Sequence, residues 1–441
     1  MNDLPKGWVT ARLDELLAPE PAAITDGPFG SSLKTEHYQN VGPRVIRLQN
    51  IGDGAFRDGR AHISVERFEA LRKHEARAGD ILIAALGETL PRACPVPPGL
   101  GPAIVKADCI RVRLHPEMNP RFVSAMLNSP PVRKDATAQI SGVGRPRLNL
   151  AKIRSICLRV PPLKEQERIV EAIEEQFSRL DTAEKLLRSA LQRCDVLYRS
   201  FMRTLEEWPL VPLADLLEKP LANGRSVPTA ENGSGFPVLR LTALRNGFVD
   251  LSERKVGAWG RREAERYIVQ EGDFLIARGN GSLALVGRGG LVTADPDAVA
   301  YPDTMIRARV DRKQMSPEFL RWVWNSSTVR RQIESAAKTT AGIHKVNQQD
   351  LGRVAVPFPP PEVQGTIVGD LERQQSILQA LNKSIHQALV RSNHLRRSIL
   401  ESAFSGRLVP QDPNDEPAFE LLARIASDHR KTAKPRRRQP A

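Results

Sequence analysis

The feature that most constrains this chain is an internal repeat. The stretch PPLKEQERIVEAI at 161–173 returns as PPPEVQGTIVGDL at 359–371, so that Gln364 lies 198 positions after Gln166. A chain of 441 residues that repeats after 198 contains two similar halves and a tail. Each half is long enough to bury a core of its own. The sequence therefore predicts two related domains.

Shorter matches upstream of the repeat indicate what each domain contains. Three apolar segments recur, 45–50 as 238–243, 79–84 as 272–277, and 109–113 as 305–309. We expect each to include a short strand, because each is rich in β-branched or aliphatic residues and lies next to turn residues. Segments 120–128 and 317–325 begin with proline, which favours a first helical turn. Each domain is therefore predicted to be α/β.

Long helices are predicted to follow each proline pair, because the apolar positions step alternately by four and three. The first series is Ile169, Ile173, Gln176, Leu180, Ala183, Leu187, Ala190, Cys194, Leu197 and Phe201. The second is Ile367, Leu371, Gln374, Leu378, Leu381, Ile385, Ala388, Ser392, Leu395 and Ile399. This spacing is that of a coiled-coil seam, and about 39 residues would make a helix of roughly 58 Å. The second helix must return along the first, so the pair is expected to be antiparallel.

These patterns together predict an α/β fold with two globular domains, related by an approximate twofold axis and separated by a two-helix antiparallel coiled coil. The predicted boundaries are a first domain at 1–160, a first helix at 161–205, a second domain at 206–358, a second helix at 359–405, and a C-terminal segment at 406–441 with a helix from Glu416 to Arg430 and a disordered basic tail.

The charge of the chain points to a polyanionic partner. The formal net charge is +14, and the six basic residues between 430 and 438 account for six of these charges, so the body still carries +8.

No apolar run approaches the roughly 20 residues needed to cross a bilayer. The four cysteines form no Cys-x-x-Cys pair, which disfavours a zinc site or a disulfide framework. We expect a cytoplasmic protein with reduced thiols.

Several of these features together resemble the specificity subunit of a Type I restriction-modification system. The resemblance is carried by the stretch 161–169, the loop DGPFGS at 26–31, the duplicated architecture, and the closing stretch ILESAFSGRLVP at 399–410. It implies that each domain is a target-recognition domain that reads one part of a split DNA sequence, and that the rod fixes the gap between the parts. The second half departs from the pattern, since it lacks the Gly-Pro-Phe-Gly loop.

The resemblance also implies partners. Two methyltransferase subunits would dock on the rod and its junctions, and they would carry S-adenosylmethionine, so no cofactor is expected on this chain. Restriction and translocase subunits would join through them. We expect the methyltransferase contact around Glu165, Gln166 and Gln364.

For DNA contact we consider side chains that can form paired hydrogen bonds, arginine with guanine and asparagine or glutamine with adenine. In the first half these are Arg47, Gln49, Asn50, Arg145 and Arg147. In the second half they are Arg240, Arg245, Asn246, Arg278, Asn280, His344 and Lys345. Any of them could instead contact phosphate or be a solvated surface residue. Asn149 and Asn347 are expected to be helix N-caps. The 26–31 loop is either a phosphate-binding loop or a tight connection.

Catalytic motifs are not recognisable. NSPPV at 128–132 has the wrong order for an amino-methyltransferase motif and lacks its aromatic residue, and the glycines near Gly279 are not followed by Lys-Ser or Lys-Thr. The histidines form no cluster with cysteines or carboxylates, so no metal site is expected. We therefore expect a non-catalytic chain. A stand-alone methyltransferase or nuclease with built-in recognition domains, or a coiled-coil adaptor, are the alternatives.

Overall fold

A computed structural model describes residues 4–138, 140, 145–231, 233–294, 297–340 and 342–432, apart from the side chains of Ser31 and Thr340. The chain divides into two compact units. One contains the chain up to Leu187 together with the chain from Gln387 onward, and the other is Arg188–His386. Both mix helices and strands, which confirms the predicted fold class. None of the helices among the described residues combines the length and the apolar character that a membrane span requires.

The first unit contains nine strands. They are β1 Val9–Arg12, β2 Ile24–Asp26, β3 Tyr38–Ile46, β4 His62–Ile63, β5 Ile81–Ala84, β6 Arg92–Pro95, β7 Ala103–Val105, β8 Cys109–Val112 and β9 Cys157–Val160 among the described residues. Its α-helices before the rod are α1 Val65–Ala70, α2 Pro120–Leu127, α3 Pro130–Ala138 and α4 Leu150–Arg154. The long helix α5, Leu163–Thr204, begins in this unit.

The strands of the first unit form a four-stranded antiparallel sheet, a three-stranded sheet and a strand pair. The orders are β2-β8-β5-β6 and β4-β3-β7, and β1 pairs with β9. The strand β5 is buried along its whole length, as the run of aliphatic residues predicts. Helix α2 begins at Pro120, as predicted, and packs Phe122 and Val123 into the same core as Ile83 and Ile110. The β1–β9 pair brings the N-terminal strand beside the strand that leads into α5.

The second unit repeats this plan with additional strands. Its strands are β10 Leu210–Pro212, β11 Leu217–Asn223, β12 Phe236–Leu239, β13 Leu244–Arg245, β14 Phe248–Val249, β15 Arg254–Gly257, β16 Phe274–Ala277, β17 Gly279–Asn280, β18 Gly289–Leu291, β19 Met305–Val310, β20 Lys338–Thr340, β21 Ile343–Lys345 and β22 Ala355–Pro357. Its helices are α6 Arg261–Ala264, α7 Pro317–Trp324, α8 Ser327–Ala336, α9 Gln348–Gly352 and the start of α10 Pro361–Ala403. The main sheet has the order β11-β19-β16-β18-β14-β13.

A buried ion pair recurs at the matching place in each unit. The Asp80 carboxylate accepts two hydrogen bonds from Arg113, both of 2.8 Å, and the Asp273 carboxylate accepts two from Arg309, of 2.7 and 3.0 Å. Each aspartate also accepts a backbone N–H three residues upstream, from Arg77 and from Gln270. The repeated Gly-Asp before the central strand therefore has a structural reason, because the aspartate ties the turn to the neighbouring strand.

The long helices α5 and α10, of 42 and 43 residues, pack antiparallel within each unit. In the first unit Arg396 contacts Phe177 and Asp181 on α5, and Ser392 donates to Glu184. In the second unit the end of α5 and the start of α10 share one apolar core, lined by Phe201, Met202, Leu205, Val368 and Leu371. As residue numbers rise along α5, those of their partners on α10 fall. The antiparallel coiled coil is thereby confirmed.

The predicted seam is only partly covered. Ile169, Ile173 and Ile385 are buried, but Leu197 is 49% exposed, Leu395 46% and Leu381 43%. Ala183 is also exposed. The seam is therefore buried at some of its positions and open to solvent at others. Two helices cover a seam residue from one side only, so side chains away from the globular domains remain in contact with solvent.

The C-terminal segment forms helix α11, Ala418–Thr432, close to the predicted bounds. Leu421 and Ile425 are buried in the core of the first unit, and Arg168 pairs with Asp415 just before the helix. This segment is thus part of the first unit. The disordered tail was predicted to begin at Lys431, which is wrong for Lys431 and Thr432 because both belong to α11, and residues 433–441 lie outside the described residues.

Candidate nucleic-acid interface

In both units the residue after the central strand, β5 or β16, is hydrogen-bonded to the loop before the last short helix, α4 or α9. Leu148 N donates to the carbonyl of Ala85 at 2.9 Å in the first unit, and Val346 N donates to the carbonyl of Arg278 at 2.9 Å in the second. Asn149 and Asn347 follow directly and cap helices α4 and α9 through their side-chain oxygens, as predicted. The two candidate surfaces are therefore built by matching backbone connections.

In the first unit the glycine-containing loop at 26–30 is held by hydrogen bonds to the Asp26 carboxylate. The Asp26 carboxylate accepts the N–H groups of Gly27 at 2.8 Å and of Asp108 at 3.0 Å. A Cβ atom on Gly27 would lie 2.1 Å from the carbonyl carbon of Lys106, so only glycine fits. Burial raises the pKa of the Asp26 carboxyl, with a smaller contribution from Asp108. The loop is a rigid connection whose tip, at Phe29, is half exposed.

This glycine position is retained in the second unit although the sequence around it differs. A Cβ atom on Gly224 would lie 2.1 Å from the carbonyl oxygen of Pro302, and Gly224 N donates to Met305. The close backbone approach is therefore common to both units, whereas the Pro-Phe tip belongs to the first alone.

Arg145 and Arg147 both lie on the surface of the first unit. Arg147 pairs with Leu86 in an isolated antiparallel β-bridge, and its Nη2 lies 2.7 Å from Asp108 Oδ1. Its guanidinium carbon lies 5.5 Å from the centre of the Phe29 ring. Arg145 is exposed, and residues 141–144 of the predicted loop lie outside the described residues. The structure thus joins the 26–30 loop to the predicted arginine segment.

A second group in the first unit surrounds Gly59. Arg47, Gln49 and Asn50 converge there, since a Cβ atom on Gly59 would lie 3.2 Å from the amide nitrogens of Gln49 and Asn50 and 3.8 Å from Arg47 Nη2. Asn50 is buried, accepts from Arg47 N, and donates to the carbonyls of Arg57 and Gly59, all at 2.8 Å. Its amide thus holds the loop together, whereas Gln49 is exposed and Arg47 is half-buried.

In the second unit four predicted residues meet in a small sheet of the order β17-β21-β20. Asn280 lies opposite His344, Gly279 opposite Lys345, and Arg278 immediately precedes β17. His344 Nδ1 lies 3.0 Å from Thr339 Oγ1. The exposed Lys345 lies directly opposite Lys338, which is also exposed. Two lysines facing each other across a ladder repel, so this surface suits a bound anion.

The remaining predicted residues of the second unit, Arg240, Arg245 and Asn246, lie on an adjoining stretch of chain and are exposed. Arg245 forms an ion pair of 2.8 Å with Glu253 and donates to the carbonyl of Thr242. Asn246 has φ +51° at the tip of the β13–β14 hairpin, where an Asn-Gly turn is favoured. Within the described residues, no hydrogen bond or ion pair joins this group to the β17-β21-β20 sheet.

The residues predicted to contact partner subunits are buried within the chain. Gln166 accepts from Asn119 N and donates to the carbonyl of Pro161, and Gln364 bonds in the same way to Ser316 N and the carbonyl of Pro359. Each glutamine fastens the start of a long helix to the start of a domain helix. Glu165 accepts from Trp8 Nε1 at 3.1 Å, and burial raises the pKa of its carboxyl. Partner contact around these residues stays a prediction that concerns the neighbouring surface.

The described residues offer little for catalysis. No group of three or more His, Cys, Asp or Glu side chains among them is arranged to hold a metal ion. All four cysteines are free thiols, and burial raises the pKa of Cys94 to about 12 and that of Cys109 further. These two thiols therefore remain protonated and unreactive near neutral pH.

Sequence reasoning missed Phe29, Asp108 and Lys338 as members of these surfaces. The aromatic residue in the 26–31 loop was a usable signal, because Phe29 stands between the two glycines of the loop and its ring is half exposed. Asp108 and Lys338 carry no local signal, since they join the surfaces through strand pairing.

Comparison with known proteins gives consistent results. The family model described as Type I restriction modification DNA specificity domain matches residues 101–192 and 205–391, more than half of the chain. The chain is 26% identical over 439 residues to the Type I restriction enzyme EcoKI specificity subunit of Escherichia coli K12, and the alignment covers 92% of this chain and 90% of that protein.

Solved structures agree in fold. One, described as "Structural basis underlying complex assembly and conformational transition of the type I R-M system", has a TM-score of 0.67 at 20% identity and covers 92% of this chain and 100% of that one. The HsdS subunit from Thermoanaerobacter tengcongensis has a TM-score of 0.60 at 19% identity, with 92% and 98% covered.

Proposed function

Because this chain belongs to the family of Type I restriction-modification DNA specificity subunits, we propose that it reads a bipartite DNA sequence and directs partner methyltransferase and restriction subunits to it. The chain is a specificity subunit and not itself the enzyme. Its partners are double-stranded DNA and other subunits of the system. We propose two methyltransferase subunits per chain, which carry S-adenosylmethionine, and action in the cytoplasm.

One observation supports this proposal most strongly. In each unit, basic side chains lie where the segment leaving the central strand meets the loop before the last short helix, and in the second unit an asparagine lies with them. Arg145 and Arg147 occupy this place in the first unit, and Asn280, His344 and Lys345 in the second. These residue types can read base edges or hold phosphates. Two such surfaces on one basic chain fit a target with two halves.

Exchange of one domain tests the proposal. Residues 20–150 are replaced by those of a relative with a different target, and the chain is produced with its methyltransferase partner in a host without such a system. Mapping of methylated adenines should show that one half of the target changes and the other half and the gap do not. A change in both halves, or methylation without sequence preference, would contradict the proposal.

The helical pair is proposed to set the gap between the two halves. Insertion of one heptad into both α5 and α10 adds roughly 10 Å, about three base pairs at 3.4 Å each. The mapped gap should lengthen accordingly, whereas the same insertion in α5 alone should disrupt the seam and abolish methylation. An unchanged gap in the double insertion would refute the ruler function.

The alternatives make different predictions. A stand-alone enzyme would methylate or cut DNA as the purified chain with S-adenosylmethionine or Mg²⁺, without partner subunits. A protein adaptor would assemble with its partners but give them no sequence-dependent DNA protection. We expect salt-sensitive, sequence-specific protection only when chain and methyltransferase are both present.

A further inference from the structure

We propose that Arg147 reads a guanine in the half of the target bound by the first domain, and that Asp108 and Phe29 are the positioning residues that hold its guanidinium in place. The inference rests on the proposed function and adds to it the identity of one base and the side chain that selects it. Three observations on described residues carry it, two contacts and one exposure.

The first is the fixed carboxylate of Asp108. Its backbone is in the left-handed region at φ +64°, its N–H donates to Asp26, and its carbonyl accepts from Ala85 N at 2.9 Å. Asp108 Oδ1 then lies 2.7 Å from Arg147 Nη2. Because the N–H and the carbonyl of Asp108 are both hydrogen-bonded, its backbone is held in place and its carboxylate moves only by rotation of a short side chain. It therefore restricts where the guanidinium lies.

The second contact is with Phe29. The Arg147 guanidinium carbon lies 5.5 Å from the centre of this ring, within range of a cation–π interaction. The ring is 50% exposed at the tip of a loop that Asp26 and Gly27 make rigid. An aromatic side chain held at the surface next to a guanidinium limits the orientation of the guanidinium plane. Asp108 and Phe29 thus constrain the position and the plane.

The third observation is that Arg147 retains free donors. Its side chain is 48% exposed, its guanidinium forms an ion pair with Asp108, and it donates no side-chain hydrogen bond to any other described residue. A guanidinium has five N–H groups in a planar fork, which matches the O6 and N7 acceptors of guanine. A phosphate is a less suitable ligand, because the carboxylates of Asp108 and Asp26 lie near the Arg147 guanidinium and would repel a second anion. The arrangement therefore favours a base over the backbone.

The second unit does not reproduce this arrangement. From the matching hydrogen bonds of Leu148 and Val346, Lys345 occupies the place of Arg147, and the loop at Gly224 has no phenylalanine. A lysine offers a point charge without the planar fork. The guanine contact is thus expected in one half of the target only.

The test uses the full chain assembled with its methyltransferase partner on DNA duplexes carrying the mapped target. Arg147→Lys should weaken binding to the cognate duplex on the order of 10-fold to 100-fold and relax discrimination at one guanine of the first half-site. Replacing that guanine by 7-deazaguanine, which lacks the N7 acceptor, should weaken binding of the unchanged chain but not of Arg147→Lys. The matched control Arg72→Lys, at an exposed arginine that pairs with Glu69, should keep discrimination at that guanine.

The positioning residues are tested by discrimination between cognate and non-cognate duplexes. Asp108→Asn keeps a residue that tolerates positive φ, and Phe29→Leu keeps an apolar side chain. Each should reduce discrimination at the same guanine by severalfold while non-specific affinity at low salt is maintained, and Phe29→Tyr should restore it. Circular dichroism and assembly with the partner check that each variant is folded.

If Arg147→Lys discriminates at every position as the unchanged chain does, the inference is overturned while the proposed function stands. If Asp108→Asn and Phe29→Leu leave discrimination intact, their positioning function is overturned. If the unchanged chain gives no sequence-specific binding with its partner, the proposed function itself fails.

Discussion

Replacement of Gln364 by alanine should destabilise the second unit strongly. The side chain is 1% exposed and makes three hydrogen bonds, accepting from Ser316 N at 2.8 Å and donating to the carbonyls of Gln314 at 2.8 Å and Pro359 at 3.0 Å. Each lost bond costs about 1 kcal/mol, so Gln364→Ala should lose about 3 kcal/mol of unfolding free energy. At a urea dependence of about 2 kcal/mol per molar, the midpoint falls by about 1.5 M.

Tryptophan emission during urea unfolding is the appropriate assay. Of the five tryptophans, Trp208, Trp259, Trp322 and Trp324 lie in the second unit and Trp8 in the first. The emission therefore reports mainly on the unit that contains Gln364. A midpoint within 0.3 M of the unchanged chain, on the scale of roughly 0.5 kcal/mol, would refute the structural function of Gln364.

Gln166→Ala is the matched control. This glutamine makes two bonds of the same kind in the first unit, at 3.3 and 3.0 Å, so the variant should lose about 2 kcal/mol there and leave the main emission transition unchanged. The pair also tests the predicted partner contact. If either variant keeps its stability but no longer assembles with the methyltransferase, the surface beside that buried glutamine contacts the partner.

Four further outcomes are expected. Gly27→Ala should lose the first half of the target and roughly 2 kcal/mol of stability, measured by methylation mapping and urea unfolding, because its Cβ would lie 2.1 Å from the backbone of Lys106. Asp273→Asn should lose about 3 kcal/mol in the same unfolding assay, because it leaves the charge of Arg309 without its buried partner. Glu165→Gln should change the pH dependence of stability. Burial raises the pKa of this carboxyl in the folded chain, so the contribution of Glu165 to the unfolding free energy is complete below the ordinary glutamate pKa and is lost as pH rises through the raised value. The urea midpoints of the variant and the unchanged chain should therefore be close near about pH 4, and the variant should have the higher midpoint near about pH 8. Lys338→Ala combined with Lys345→Ala should weaken binding to all duplexes and reduce the slope of log affinity against log salt by about 2, as measured by titration at several salt concentrations.

The sequence predicted the long helices and the caps because these depend on local patterns that occur twice. Helix α2 begins at Pro120 and α7 at Pro317, as expected from proline at a first turn. The coverage of the seam was less predictable. Whether Leu197 or Leu395 is buried depends on what lies beside the two helices, and a heptad pattern does not contain that information.

The candidate surfaces were predicted in part. The structure brings Arg147, His344 and Lys345 to the candidate surfaces, and their contact with DNA stays a prediction. Asn50 was predicted less well. Its amide forms hydrogen bonds within its own turn, and the sequence alone does not distinguish such a turn from one with an exposed asparagine that contacts a base. Asp108 was missed because strand pairing, not proximity in sequence, brings it beside Arg147.

The central claim is that each domain reads one half of a split target. Sequencing of methylated adenines, in cells that contain the methyltransferase partner with either the unchanged chain or the chain exchanged at 20–150, tests it most directly. The account predicts two maps that share one half-site and the gap and differ in the other half-site. Maps that are identical, or that differ in both halves, would contradict it.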